Sequence, residues 1–458
     1  MRKALSFFLV IVICMSLFAG CGSSEENSAG TTSSAGTAGA TDAAAVSTSG
    51  SDQVWSGDAV SLKMMVFPAT ENYQKINDQF LAANPEIDKK VDINVELGGS
   101  GDGDVATKLR LLLASRQELP NLIRLNYTQL PEFAEAGVLE PVKDYIAPYE
   151  DNIIDAAKSV MKYNDEYFAF PREIKPKVWF YRADIFKECG IDPYQVKTID
   201  DYIAAGKKIQ EKYPKACMEN YNAPSQAYDL MMMMSGTENG RFCDKDGNYN
   251  FADNADVKLT FERIKKIKES GVNSSVMEWS ADWAPAFSSG EIVSQLMGGW
   301  FKTDFMNFKL EDQKGKWAIA PWPEEIRQGS DAGGAIWVIP AESKNKEVSG
   351  SYISKLCFDN DAAKIVYDVT GIIPALKSAQ EDPYFNAPHA YYASSLGPVN
   401  FEAMSYLKVY PYTPASSQEI TIATQYLDEY IRGKMTVDEA LKAAQADMIS
   451  QIGNPYKK

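Results

Sequence analysis

Histidine is nearly missing from this chain of 458 residues: it has one, His389, between Pro388 and Ala390. A zinc site of the usual kind needs clustered His and Cys, and no CxxC or HExxH spacing occurs. A Ser-His-Asp triad would have to use His389, without a nucleophile elbow to accompany it. Basic charge is short as well. Lys and Arg number 46 against 62 Asp and Glu, a net charge of -16. That balance argues against nucleic acid and against anionic lipid headgroups as partners. Cysteine is sparse, with six in all. Beyond Cys14 and Cys21 there remain Cys189, Cys217, Cys243 and Cys357, too widely spaced for any pairing to be deduced, so disulfides and free thiols both stay open. After the N-terminus no apolar run reaches membrane length, so no span is expected. Carboxylates are abundant, and a glycosidase pair is not excluded by counting, yet nothing marks two of them. No cofactor, metal or catalytic residue emerges.

What is present begins with Arg2 and Lys3, then an apolar run from Ala4 to Phe18, then small Ala19 and Gly20. Basic, apolar, small is the order of a secretory signal peptide, here 1–20. The run holds about 15 residues, short of the roughly 20 needed to span a bilayer. "LFAGC" resembles a bacterial lipobox, with Phe18 where that motif usually has Leu. The resemblance implies a diacylated Cys21 anchored to the outer face of the cell membrane. Residues 22–50 are almost all Gly, Ser, Ala and Thr. Such a segment cannot bury enough apolar surface to offset its ordering entropy. We expect a tether over 21–57, a coil spanning roughly 30 Å.

The remaining length exceeds one typical core and calls for two domains. Strand and helix patterns alternate: "SLKMMVF" (61–67), a helix over 72–83, "VDINVEL" (91–97), a helix over 105–116, "NLIRLN" (121–126), and a short helix over 130–135. That order predicts a mostly parallel sheet covered on both faces. A second such unit starts near 175. It has "KVWFYR" (177–182), helices over 198–211 and 256–270, and strands at 291–297 and 333–340. The end is helical, with a capping box at Thr436–Glu439.

The glycine loop "GGSGDG" (98–103) lacks the Lys-Ser/Thr ending of a phosphate cradle, and Asp102 and Asp104 would repel phosphate. It reads as a strand-to-helix turn at a cleft rim. "DKDGN" (244–248) departs from a calcium loop in its glycine position and reads as a hairpin turn. Met231–Met234 read as buried helix. Six tryptophans, Trp279, Trp283, Trp300, Trp317, Trp322 and Trp337, crowd one stretch. Indole faces suit the C–H faces of sugars, with a few polar groups to orient them. Each is more simply a core residue, except Trp300. It follows Gly298-Gly299 after a strand, where backbone can approach a ligand.

At these residues the sequence resembles the family 1 extracellular solute-binding proteins of bacterial ABC importers. The likeness covers roughly 60–450. It rests on "EFAEAGVLEPVKDYI" (132–146), "FAFPREIKPKVWFYRADIFKECGID" (168–192), "AFSSGEIVSQLMGGWF" (286–301), "DAGGAIWVIPAESKN" (331–345) and "TGIIPA" (370–375). With the lipobox it suits a Gram-positive member. The resemblance implies an α/β, two-lobe periplasmic-binding-protein-like (type II) fold with a hinge and an interlobe cleft. Lobe 1 would take 58–170 plus 324–372, and lobe 2 would take 171–323 plus 373–458. Crossings are expected near Phe170–Arg172, Trp317–Pro323 and Gly371–Pro374. The ligand would be a sugar, the partner an ABC permease, and the protein a monomer. Implied contacts are Glu71, Asn126, Arg172, Trp279, Trp300 and Gly334, with Asn126 where many relatives have Asp. Trp283 may be core. A cell-surface glycan enzyme and a non-transport glycan receptor are the alternative readings.

Overall fold

The first three strands form where the apolar spacing places them. In the computed structural model, residues 58–221, 226–308, 310–329, 334–408 and 410–457 are described. The expected signal peptide, Cys21 and the tether lie outside them. Strand β1 is Val60–Val66, β2 is Val91–Leu97 and β3 is Leu122–Asn126, with β1 parallel to both neighbours. Parallel pairing requires crossover helices. The helix Thr70–Ala83 buries Tyr73, Ile76, Phe80 and Leu81, and the helix Asp102–Ala114 buries Val105, Ala106 and Leu109. The second of these starts three residues before the expected 105. Extended Gly101 precedes it, and Asp102 and Asp104 suit the positive end of its dipole.

The chain then enters β4, Phe170–Glu173, and passes through Ile174–Pro176 into β5, Lys177–Arg182. Strands β6, Ser294–Gly298, and β7, Trp317–Pro321, flank β5. Strand β8, Ala335–Val338, returns to the first sheet and lies antiparallel between β3 and β4. The first sheet therefore runs β2-β1-β3-β8-β4 and the second β6-β5-β7. The second sheet corrects the expectation of another parallel layer, because β5 is antiparallel to both neighbours. Strands buried on both faces read alike in either direction, so burial carried no directional signal. The crossing expected at Trp317–Pro323 falls on β7 and its exit. The stretch expected as the third, Gly371–Pro374, follows the helix Asn360–Thr370, which stops at Gly371 with φ 68°, and leads to Leu376, which bridges Ile153.

Elsewhere local chemistry sets the elements. Thr436 and Glu439 form the capping box of the helix Val437–Gln451, whose Ala440, Leu441, Ala444 and Met448 are buried. Met231–Met234 are buried in the helix Gln226–Ser235. Asp244 accepts from the backbone of Asp246 and Asn248, closing a hairpin turn between Cys243 and Tyr249. Cys189, Cys217, Cys243 and Cys357 are all free thiols. No helix among the described residues is long and apolar enough to cross a membrane.

Candidate functional site

Burial sorts the six tryptophans. Trp283, Trp317, Trp322 and Trp337 are at most 3% exposed and serve the cores. Trp279 is 56% exposed, and Trp300 is half-buried. These two stack with ring centroids 5.8 Å apart and planes 15° from parallel. Trp279 stands at φ 63°, a conformation rare for a bulky residue and one that its surroundings must hold. Its ring meets Trp283 edge-on at 4.7 Å. Trp300 leaves β6 after Gly299, its Nε1 donates to Tyr228 Oη at 3.1 Å, and its ring meets the Tyr228 ring at 6.2 Å.

Charge gathers on the connection between the two sheets. Lys175 Nζ lies 5.1 Å above the Trp300 ring and 3.1 Å from Glu173 Oε1. Arg172 Nη1 donates to Glu173 Oε2 at 2.6 Å, and its guanidinium covers the Tyr73 ring at 4.8 Å. Arg124 Nη2 approaches Glu173 Oε1 at 3.7 Å, while its Nη1 forms a second ion pair with Asp102. Burial would raise the Glu173 carboxyl, but Arg172, Lys175 and Arg124 outweigh it and hold the group at about 2.

Asn126 joins this line from the first sheet. Its Nδ2 donates to Asp102 Oδ2 at 3.4 Å, and its Oδ1 accepts from Thr128 N at 3.0 Å. Gly334 sits beside the next residue. Its carbonyl accepts from Tyr127 N at 3.2 Å, and a Cβ on Gly334 would fall 1.8 Å from the Tyr127 ring. The structure thus links Asn126, Asp102, Arg124, Glu173, Arg172, Lys175, Trp300 and Trp279 in one chain of contacts. Glu71 stands apart, exposed in the first turn of the helix Thr70–Ala83, two residues before Tyr73. Two hollows flank the crossing after Gly371. A cavity of about 40 Å³ is lined by Tyr73, Arg172, Trp337 and Ile372 among others, and a smaller recess by Glu173, Lys175, Gly299, Trp300, Gly371 and Ile372.

Sequence reasoning missed Asp102, Arg124, Glu173, Lys175 and Tyr228 as neighbours of these residues. Glu173 and Lys175 lie inside the "PREIKP" stretch, whose alternating charges look like a solvated face. Behind Tyr228, the carboxylates of Glu219, Asp229 and Glu278 are buried, and Gln295 Nε2 donates to Glu278 Oε1 at 3.2 Å. Burial raises Glu219 and Asp229 well above the carboxylate range. Among the described residues no group of three His, Cys, Asp or Glu is placed to hold a metal.

The fold and these residues meet in one family. Residues 75–392 match the family model described as bacterial extracellular solute-binding protein. The chain belongs to that family. An arabinooligosaccharide-binding protein of Halalkalibacterium halodurans is 23% identical over 353 residues, covering 74% of this chain and 78% of the relative. A solved ABC-transporter-associated binding protein of B. animalis subsp. lactis, in complex with β-1,6-galactobiose, matches at TM-score 0.69 and 21% identity. It covers 86% of this chain and 97% of the other. The galacto-N-biose/lacto-N-biose I-binding protein of a Bifidobacterium longum ABC transporter matches at TM-score 0.72 and 18% identity, over 87% and 98% of the two chains. The shared architecture is the two-lobe α/β fold with a hinge and an interlobe cleft. As members of a solute-binding family, such chains act outside the cytoplasm.

Proposed function

We propose that this solute-binding protein captures a sugar, an oligosaccharide, between its lobes and delivers it intact to the transmembrane subunits of an ABC importer. One observation carries the reading: the contact chain from Asn126 to Trp279 starts on strands of the first sheet, follows the connection between the sheets to Trp300 just past the end of β6, and ends in paired indoles. Indoles bind the C–H faces of pyranose or furanose rings, while the carboxylate, guanidinium and amide groups take hydroxyls. The sugar ligands of the relatives support the same class. Glu71, Asn126, Arg172, Trp279, Trp300 and Gly334 are the proposed contacts, joined by Lys175 and Glu173. In this reading the chain is a monomer, performs no catalysis, and is held at the membrane by a lipid on Cys21. The lobes in this reading are 58–170 plus 324–372 and 171–323 plus 373–458, with the first margin moved to the end of β4 at Glu173 and the last to beyond Leu376, which bridges Ile153.

Calorimetric titration with arabino-oligosaccharides, maltotriose and galactobiose tests the proposal. Saturable binding at micromolar or lower concentration is expected for one class, with the sugar recovered unchanged. Binding of none of them, or release of shorter products, overturns it. Detergent partitioning of wild type against Cys21→Ser tests the anchor, and equal partition into water would remove it.

A further inference from the structure

Lys302 stands two residues beyond Trp300, in the first turn of the helix Phe301–Asn307. It is 3% exposed, and its Nζ has no hydrogen-bond partner among the described residues. An unpaired ammonium is among the costliest groups to bury, so a buried lysine normally meets a carboxylate or carbonyl. This one is enclosed by elements of both lobes. From the helix Asn360–Thr370 comes Tyr367, with its ring centroid 4.7 Å from Nζ. Gly371, at the crossing, packs on the stem, and a Cβ there would lie 2.3 Å from Lys302 Cε. The neighbouring Thr303 hydroxyl donates to the carbonyl of Thr370. From the other side come Tyr392, whose Oη donates to the Lys302 carbonyl at 3.3 Å, and His389, whose ring lies 5.2 Å from that of Tyr392.

Among the described residues, the titratable groups around Lys302 are therefore Tyr367, Tyr392 and His389. Asp368, beside Tyr367 in the chain, is engaged by Tyr384 Oη at 2.5 Å. Burial alone draws Lys302 from 10.5 down to about 7. His389 is lowered first by its own burial and then by the charge of Lys302, so it offers repulsion rather than a counter-charge.

We propose that Lys302 is a proton-operated wedge between the lobes: it packs under Gly371 as a neutral amine, and when it takes a proton from solvent the contact with the crossing parts and the cleft opens. The sign follows from linkage. The hydrated side chain binds a proton below about 10.5 and the packed one only below about 7. Between those values the open state carries one more proton, so each unit fall in pH moves the balance about tenfold toward it. Below about 7 the effect is complete, and above about 10.5 there is none. The recess beside Trp300 shares Gly371 with this contact. Release of a bound sugar on acidification would then follow, a consequence that rests on the function proposed above, whereas the wedge itself rests on the fold.

The test uses the mature chain without any sugar, so its failure leaves the sugar reading untouched. Lysine labelled with carbon-13 at Cε is titrated by NMR, and the signal missing from Lys302→Met identifies Lys302. A midpoint above about 7 and well below 10.5 is expected for that signal, because protonation that opens the contact lifts the observed value from the packed one toward the hydrated one. Small-angle scattering should give a larger radius of gyration near pH 7 than near pH 9.5 for wild type, and no change for Lys302→Met. A Lys302 signal titrating near 10.5 overturns the proposal, as does an equal pH response in the variant. Should Lys302→Met fail to fold, the wild-type spectrum decides: absence of any lysine signal titrating below about 9.5 overturns it.

Discussion

Trp300 shows what one side chain contributes here. Tyr228 fixes its edge, Trp279 stacks on it, and Lys175 covers its ring. Burying a further face of such a ring against a sugar is worth about 2–4 kcal/mol, from roughly 100 Å² and a stacking contribution. Trp300→Ala should therefore weaken sugar binding roughly 30- to 1000-fold in calorimetric titration, with the folded body retained. Strong destabilisation, or normal affinity, would remove Trp300 from the site. Glu173 gives a second expectation, for pH. Its folded value of about 2 lies below the ordinary 4.5, so its stabilisation is full above 4.5 and is lost as pH falls toward 2. Thermal unfolding of wild type should show that loss across this window. Glu173→Gln should lack it, and should be less stable at pH 7 by about 3–5 kcal/mol, since it leaves buried cations without their carboxylate. Trp300 was legible in the sequence because two glycines at a strand end announce it. Glu173 and Lys175 were not, because only the folded chain shows that both are enclosed.

Turns decide the geometry at the scale of elements. Asn126 ends β3 and caps the turn Tyr127–Gln129 reciprocally, its side chain accepting from the turn while its own N–H reaches Gln129 Oε1 at 3.1 Å. Asn126→Ala should cost about 1–2 kcal/mol in urea unfolding and release Asp102 on one side. A cost near zero would mean that the cap is idle. The helices were readable because their apolar stripes recur at helical spacing, as Val257, Phe261, Ile264 and Ile267 do, all fully buried. The start of β6 was less so. Ile292 and Val293 are as buried as the strand, but Ile292 makes an isolated bridge with Cys217, and the ladder with β5 begins only at Ser294. Apolar runs record burial and leave hydrogen-bond partners unspecified.

Two lobes on one hinge imply a change of shape for the whole molecule. A ligand contacting both lobes favours the closed arrangement by its differential affinity for it. Small-angle scattering at constant pH should give a smaller radius of gyration with saturating sugar than without, and an unchanged radius would argue against closure. Length called for more than one core, and the family likeness supplied the two-lobe arrangement. The return to the first sheet, expected near Trp317–Pro323, came from the family likeness and not from the apolar pattern, because Trp317–Pro321 is a buried apolar strand like those it leads back to. Only pairing, antiparallel to β5, assigns it to the second sheet.

The stacked indoles of Trp279 and Trp300 carry an optical consequence. Two indoles at 5.8 Å couple their transitions, and it is the twist between their in-plane axes that turns this coupling into an exciton couplet in circular dichroism of the ligand-free protein. A sugar ring cannot slide between them at that spacing, since contact on both faces needs about 7–8 Å. Binding on the exposed face of Trp279 would preserve that contribution, whereas insertion between the rings would remove it and leave the edge-on pair of Trp279 with Trp283. The polarised spectrum thus distinguishes a fixed platform from a pair of jaws without any substitution.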